Sequence, residues 1–307
     1  MILVIFNVIL VVTGSTGSSV ILAVQFLDWL KTDHLSPVDL IIISTGFVNL
    51  LLQGSFACNG ICFLLFVEIY VQVWIVNPLV AFMNSMAFSS LWCSTTLCFY
   101  YYVKIINLNG TIFYKLKAKL PVIVPWLLVF SFVISWSTGL PAYWDIYRHS
   151  SFPTDNATNV STTHLLNFKS RCNCLFKIYI GLSAVAFTII LFTAGGFIKS
   201  VYKHMTQMKK NNEGLRPGKL SAHISAARTV TLLLIFHLIF YGMLNVIFTG
   251  TQDIGSILFS VSYTVASSFP TANAIVLILG NRKLSNKLRY VLGMKSISSN
   301  IEVSVTT

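Results

Sequence analysis

SVYKHMTQMKKNNEGLRPGKLSAHISAARTV, residues 200–230, decides how this chain is arranged. Lys199, Lys203, Lys209, Lys210, Arg216, Lys219 and Arg228 lie in or beside it, with Glu213 the only acid among them. An apolar segment ending near Phe197 precedes it, and TVTLLLIFHLIFYGMLNVIF, residues 229–248, follows. A basic loop between two runs of membrane length belongs on the cytoplasmic side, where Lys and Arg collect. Fixing that loop fixes the orientation of every other segment. The same loop is expected to touch an intracellular partner.

Working outward, 55% of the 307 residues are hydrophobic and 10% are charged, against about 25% charged in a soluble domain. So little charge does not clothe a water-facing surface of this size. The apolar residues also come in long runs rather than in amphipathic stripes. The chain reads as an all-α polytopic membrane protein set in a lipid bilayer. The net charge of +12 would suit nucleic acid, but the basic residues sit in loops between apolar runs. No nucleic-acid module is recognisable, so no such partner is expected.

Seven spans of about 20 residues or more are long enough to cross. They are roughly Ile2–Leu27, Pro37–Cys58, Val73–Val103, Pro121–Leu140, Leu175–Ile198, Thr229–Thr249 and Ile254–Leu279. The third is too long for one apolar core and is expected to run past the bilayer at one end. No positive n-region precedes the first run and no small-residue cleavage site closes it, so a retained first helix is expected. With the N-terminus outside, the cytoplasmic segments are Asp28–Ser36, Lys104–Leu120, Lys199–Arg228 and Gly280–Thr307, which hold 17 of the 21 Lys and Arg. The other four, Arg148, Lys169, Arg171 and Lys177, belong to one long outer loop or its edge. Long loops are translocated with little regard to charge. This organisation implies one seven-helix domain over 1–289 and a short disordered cytoplasmic tail over 290–307, Ser/Thr-rich from Lys295 on.

The long outer connection, Pro141–Arg171, carries two acceptor sequons, Asn156-Ala-Thr158 and Asn159-Val-Ser161. They fall on the lumenal side, as glycosylation requires. Asn109-Gly-Thr111 also matches but lies on the cytoplasmic side and is expected to stay unmodified. Cys93 and Cys98 lie mid-span and read as packing residues. Cys58 and Cys62 sit near the outer end of the second span, and Cys172 and Cys174 near the outer end of the fifth. The oxidising compartment permits a bridge between the pairs, and the sequence leaves connectivity open. The six His residues are scattered, so neither a metal site nor a cofactor is expected.

Several machines use seven spans. A retinal-binding pump needs a Lys inside the seventh span, and Ile254–Leu279 has none. A secondary transporter shows internal repeats and intramembrane ionisable residues, and neither is visible. An intramembrane enzyme needs a nucleophile or paired acids at mid-membrane, and none is present, so no enzymatic activity is expected.

The motifs point elsewhere. Val24-Gln25-Phe26-Leu27-Asp28-Trp29 is similar to a V-N-x-x-D-W pattern, and Leu35-Ser36-Pro37-Val38-Asp39 to L-S-x-x-D. Trp92, Leu97, Phe99-Tyr100-Tyr101 and Lys104-Ile105 resemble W-x-x-x-x-L-S-x-F-Y-x-x-K-I. The basic stretch carries Lys203-His204, Gln207-Met208, Ala222-His223, Ala226 and Thr229-Val230. The seventh span ends Pro270-Thr271-Ala272-Asn273-Ala274 and then Ile278 to Leu284, similar to P-x-x-H-S and I-L-x-N-x-K-L. Together these resemble the bitter taste receptors, the type 2 taste receptor family of G-protein-coupled receptors, over nearly the whole chain. The resemblance implies a multi-pass plasma-membrane receptor for small bitter organic molecules. It also implies a heterotrimeric, gustducin-like G protein and phospholipase C–calcium signalling.

The departures mark a divergent member. The family usually has Asn where Ser18 stands, Arg where Asn49 stands and His where Asn273 stands, three positions expected to meet in mid-bundle near Pro270. Ser18, Asn49 and Asn273 are expected to hydrogen-bond among themselves in place of the missing cation, each bond being worth about 1 kcal/mol in a membrane. The departures also leave room for a vomeronasal type 1-like receptor. Outside receptors, a small-solute channel or transporter is the alternative.

The N-terminus is expected to have almost no length outside, so the ligand should be a small molecule entering between helices. Asn84, Phe88, Trp92 and Thr96 recur every four residues and form one stripe on the third span. The resemblance makes Trp92 a ligand contact and puts Thr96 one turn deeper. Phe240 and Tyr241 lie near the family's switch position in the sixth span, and Tyr263 in the seventh is expected to face the same cavity. An aromatic, nearly uncharged cavity suits uncharged or weakly basic amphiphiles. Glu68 and Asp253 near the mouth read as ordinary solvated acids. Tyr101, Lys104, Lys203, His204, His223 and Arg228 are the expected G-protein face, although positive-inside bias alone would also place basic residues there.

Overall fold

Backbone groups in lipid must be satisfied within the chain, so apolar runs of this length become helices. The computed structural model describes residues 2–33, 35–66, 72–105, 111–149, 167–170, 173–210, 217–248 and 256–291. In chain order they form α1 (Ile2–Thr32), α2 (Pro37–Leu65), α3 (Val73–Ile105), α4 (Thr111–Gly139), the single turn α5 (Ala142–Asp145), β1 (Ile146–His149), β2 (Asn167–Ser170), α6 (Asn173–Lys210), α7 (Pro217–Phe248), α8 (Ile257–Gly280) and α9 (Arg282–Val291). Seven of these are long and apolar enough to cross a membrane: α1 to α4 and α6 to α8. The protein is a seven-helix membrane bundle.

Helix ends differ most from the expectation. The basic stretch 200–230 is not mainly loop: α6 runs on to Lys210 and α7 begins at Pro217. Likewise α4 starts at Thr111, ten residues before the expected Pro121, and carries Pro121 and Pro125 within it. Hydropathy marks where a helix leaves the apolar core, not where it stops, and Lys, Gln, Met and Ala are good helix formers. The third span is indeed long. Its 33 residues reach about 50 Å, against a hydrocarbon core of about 30 Å. The connection between α4 and α6 holds a feature that the sequence did not signal. β1 and β2 pair antiparallel, Ile146 opposite Ser170 and His149 opposite Asn167.

Short polar residues set the helix starts. Ser36 caps α2: its hydroxyl accepts from Asp39 N at 3.3 Å and donates to Asp39 Oδ2 at 2.6 Å, with Pro37 following in the first turn. Ser256 caps α8 by accepting from Phe259 N. Asn281 ends α8 and starts α9, its Oδ1 accepting from Lys283 N at 2.9 Å and Leu284 N at 3.4 Å. Inside the bilayer many Ser and Thr hydroxyls donate to the carbonyl one turn back, as Thr45 does to Ile41, Ser85 to Ala81 and Thr96 to Trp92.

The helices α2, α3 and α8 are the most buried, and α1, α4, α6 and α7 leave more surface to lipid. Two apolar clusters fill the bundle. One joins Leu52, Phe56, Phe88, Leu91, Tyr241 and Phe269. The other, toward the end with the basic segments, joins Ile21, Ile42, Leu97, Val124, Leu233 and Leu277. Close approach depends on missing side chains at two places. A Cβ on Gly14 of α1 would collide with Thr271 Oγ1 of α8, and one on Gly139 of α4 would lie 2.7 Å from Ser85 N of α3.

Cys58 and Cys62 are free thiols with Sγ atoms 4.0 Å apart, about twice the S–S length of about 2.05 Å. They are therefore not bridged to each other. Cys172 lies outside the described residues, as does the side chain of Cys174.

Gly139→Leu is expected to cost about 1–3 kcal/mol by forcing α3 and α4 apart. In a thermal-shift assay on the purified protein its melting temperature should fall. Gly181→Ala should melt like the parent, because open space surrounds Gly181.

Candidate ligand cavity and switch core

Ser18, Asn49 and Asn273 are all fully buried, but only two of them meet. Asn273 Nδ2 on α8 donates to Asn49 Oδ1 on α2 at 3.1 Å and lies 3.3 Å from Ser90 Oγ on α3. Ser90 closes the triangle by donating to the same Asn49 oxygen at 3.2 Å. The expected three-way bond through Ser18 does not form, since Ser18 Oγ has no hydrogen-bond partner. A serine hydroxyl reaches less far than an asparagine amide, and Gly17 beside it packs on Ala274 rather than on Asn273. Ser90 takes that place. No sequence signal singles it out within Ser89-Ser90-Leu91-Trp92-Cys93-Ser94. Pro270 lies inside α8, one turn before Asn273, and leaves the Ala266 carbonyl without its helical donor.

The stripe on α3 is divided by the fold. Each four-residue step advances about 40° past a full turn, so the stripe winds around the helix. Asn84 is half-buried. The Phe88 ring sits 4.7 Å from Tyr179 of α6 and 6.2 Å from Tyr241 of α7. The Trp92 ring instead meets Phe130 of α4 edge-on at 6.0 Å, and its indole N–H has no hydrogen-bond partner. Thr96 is buried, and its hydroxyl is used by the Trp92 carbonyl.

Phe240, Tyr241 and Tyr263 hold helices together. Phe240 stacks on Phe269 of α8 at 4.2 Å. Tyr241 Oη donates to the Ala87 carbonyl of α3 at 3.2 Å, and Phe187 of α6 meets its ring edge at 5.4 Å. Tyr263 Oη donates to the Phe56 carbonyl of α2 at 3.0 Å and accepts from Asn59 Nδ2 at 3.0 Å. The four helices α3, α6, α7 and α8 thus share one aromatic cluster. Tyr179, Phe187 and Phe269 belong to it and were not singled out from the sequence, because aromatic residues are common on every face of these spans. A separate hollow of about 400 Å³ lies between α1 and α2 near the basic end, lined by Leu22, Ala23, Phe26, Trp29, Leu35 and Ile43. It touches none of the expected ligand residues and has no polar group to orient a ligand.

At the basic end, charges lock α9 onto α1 and α2. Lys283 Nζ lies 3.1 Å from Asp28 Oδ2 and 3.3 Å from Asp39 Oδ1, and it donates to Gln25 Oε1 at 3.3 Å. Gln25 Nε2 donates to Asp39 Oδ1 at 3.1 Å, and Lys287 pairs with Asp28 as well. The motif residues Asp28, Asp39 and Lys283 lie far apart in sequence, and α9 with its Leu284–Leu288 apolar face brings them together. Of the expected partner face, Tyr101 is half-buried against Tyr100 and Phe197. Lys104 donates to Tyr100 Oη at 3.0 Å, and Arg228 is exposed. Lys203, His204 and His223 lie on helices, but their side chains are outside the described residues, as are Asn109, Asn156, Asn159, Glu68 and Asp253 altogether. Among the described residues no group of three His, Cys, Asp or Glu is placed to hold a metal.

The family model described as "Taste receptor protein (TAS2R)" matches residues 1–296. The chain is 28% identical over 282 residues to taste receptor type 2 member 9 of Homo sapiens, covering 88% of this chain and 86% of the relative. It is 29% identical over 279 residues to the member 9 receptor of Pongo pygmaeus, with the same coverage. It is 28% identical over 291 residues to taste receptor type 2 member 40 of Gallus gallus, covering 91% and 92%.

Asp28→Asn should remove both lysine pairs at once and cost about 1–2 kcal/mol, between the exposed and buried extremes for ion pairs. Thermal unfolding of the purified protein should show the loss. Lys287→Ala, which leaves Lys283 in place, should cost less.

Proposed function

The chain belongs to the type 2 taste receptor family, and from that premise we propose that it binds a small bitter organic molecule between its helices and activates a heterotrimeric G protein. The family is one of multi-pass plasma-membrane receptors and not of enzymes. The observation that carries the ligand reading is the aromatic cluster shared by α3, α6, α7 and α8. Phe88, Phe240 and Tyr241 belong to it, Trp92 meets Phe130 of α4, Asn84 and Thr96 lie on the same helix as Phe88, and Tyr263 lies on the same helix as Phe269. Rings offer stacking and cation–π contact without demanding one shape, which suits an uncharged or weakly basic amphiphile.

An agonist acts by binding one arrangement of the helices better than the other. Wedging the aromatic cluster open would strain Tyr241 against Ala87 and Phe240 against Phe269, and through them α7 and α8. Pro270 and the polar triangle lie next along α8, and the basic segments lie beyond. The G protein would meet the face with Tyr101, Lys104, Lys203, His204, His223 and Arg228. This requires the basic end to be cytoplasmic, with the N-terminus outside and residues 290–307 forming an intracellular tail. A gustducin-like partner and calcium release through phospholipase C complete the proposal.

Calcium imaging tests it directly, in cells expressing this chain with a taste-type G-protein α subunit and challenged with bitter organics. The expected result is a response that disappears without the α subunit. Trp92→Ala should raise the half-maximal concentration about tenfold or more, as loss of about 1.4 kcal/mol of contact requires. Silence at confirmed surface expression would contradict the reading. Orientation has its own check. Glycosidase treatment should shift the parent on a gel but not an Asn156→Gln/Asn159→Gln variant, whereas Asn109→Gln should behave like the parent.

A further inference from the structure

Ser285 stands on α9 in the run Arg282-Lys283-Leu284-Ser285. Basic residues three and two positions before a serine are a charge pattern by which acid-lined protein kinases choose their substrates. The chain has one other adjacent pair of Lys or Arg, Lys209-Lys210, and Asn212 rather than a hydroxyl follows it at that spacing. We propose that Ser285 is a phosphorylation site for a serine/threonine kinase that selects basic sequences, reached when α9 leaves its seat on α1 and α2. The proposal rests on the reading of the basic end as cytoplasmic, where such kinases and ATP are found.

In the transfer, Ser285 Oγ bonds to the γ-phosphorus of ATP as the bond to the β-phosphate oxygen breaks. ADP leaves, and the kinase's catalytic carboxylate takes the hydroxyl proton. Seated on the bundle, Ser285 is half-buried, and its backbone N–H donates to the Asn281 carbonyl at 2.9 Å. A kinase cleft takes its substrate as extended chain, so α9 must open first. A helix of ten residues is marginal in water by itself. Leu284, 1% exposed, seats this one, together with the pairing of Lys283 with Asp28 and Asp39 and of Lys287 with Asp28. Releasing those pairs frees the helix, so access to Ser285 follows the state of the lock.

The modified helix still fits its seat. Lys283 and Lys287 stand two residues to either side of Ser285, and residues two apart do not face each other on a helix. Both lysines therefore keep their aspartates. Arg282 and Arg289, three before and four after, have the spacings at which a phosphate on a helix finds partners. Ser285 also lies in the first turn of α9, where negative charge is favoured. The helix carries four basic residues and no acid. A phosphate of about −2 would halve that charge without unfolding it.

The test incubates the purified full-length receptor in detergent with labelled ATP and the catalytic subunit of a cyclic-AMP-dependent kinase, and locates the label by peptide mass spectrometry. Detergent opens both ends of the bundle, so this step does not depend on orientation. Label is expected at Ser285 and should vanish in Ser285→Ala. Arg282→Ala should be labelled several-fold more slowly, and Arg289→Ala at the parent rate. Asp28→Asn, which frees α9, should be labelled several-fold faster, and Lys287→Ala serves if that variant does not fold. Label absent from Ser285, or found only on other residues, would overturn the site. Release variants labelled no faster than the parent would overturn its gating by the lock. In sealed plasma-membrane vesicles, only inside-out ones should be labelled by added kinase. Label confined to right-side-out vesicles would instead overturn the orientation, and with it the kinase reading.

Discussion

In a bilayer there is no hydrophobic force between helices, because lipid tails are as apolar as the residues that face them. What fixes this bundle's arrangement is therefore close packing and the few polar groups that must find each other. The contact of Asn49, Ser90 and Asn273 ties α2, α3 and α8, the three most buried helices, at a single oxygen. Each such bond is worth only about 1 kcal/mol in a membrane. Three helices meeting there still have few other arrangements that would satisfy the same groups. Glycines at the α1–α8 and α3–α4 contacts let the backbones close to the distance this requires.

Around that layer the two halves of the bundle are held by different physics. On one side rings pack ring against ring, from Phe88 through Tyr241 to Phe240 and Phe269. Such contacts tolerate sliding and accept a foreign ring. On the other side Lys283 and Lys287 pin α9 to Asp28 and Asp39, interactions with directional and electrostatic demands. The aromatic half tolerates rearrangement, while the ionic half favours discrete arrangements. The polar triangle and Pro270 lie between the two, on the helix that runs through both.

The seven spans were legible because hydropathy is a property of long runs. The fold's helix ends were not, since Lys199 to Lys210 and Lys115 to Lys119 continue helices that leave the apolar layer without stopping. Asn49 and Asn273 could be paired through the family resemblance, which implied that they and Ser18 meet in mid-bundle. Ser90 could not, because α3 carries six serines and threonines, and four of those hydroxyls, on Ser85, Ser89, Thr95 and Thr96, return to their own backbone. Spacing put Asn84, Phe88, Trp92 and Thr96 on one stripe, yet the winding of the helix sends Phe88 toward α6 and α7 and Trp92 toward α4. The partnership of Asp28, Asp39 and Lys283 depends on α9, a ten-residue helix too short and too charged to register as a span. Its clue was the Leu284–Leu288 spacing.

The dependence of the bundle on one polar contact has a direct measure. A double-mutant cycle compares the thermal stabilities of Asn49→Leu, Asn273→Leu and the double variant in the purified receptor. The contact described here predicts strong non-additivity: once one amide is gone, losing the other costs little more, with a coupling of about 1 kcal/mol. Additive losses would contradict it and leave close packing alone as the reason for the arrangement.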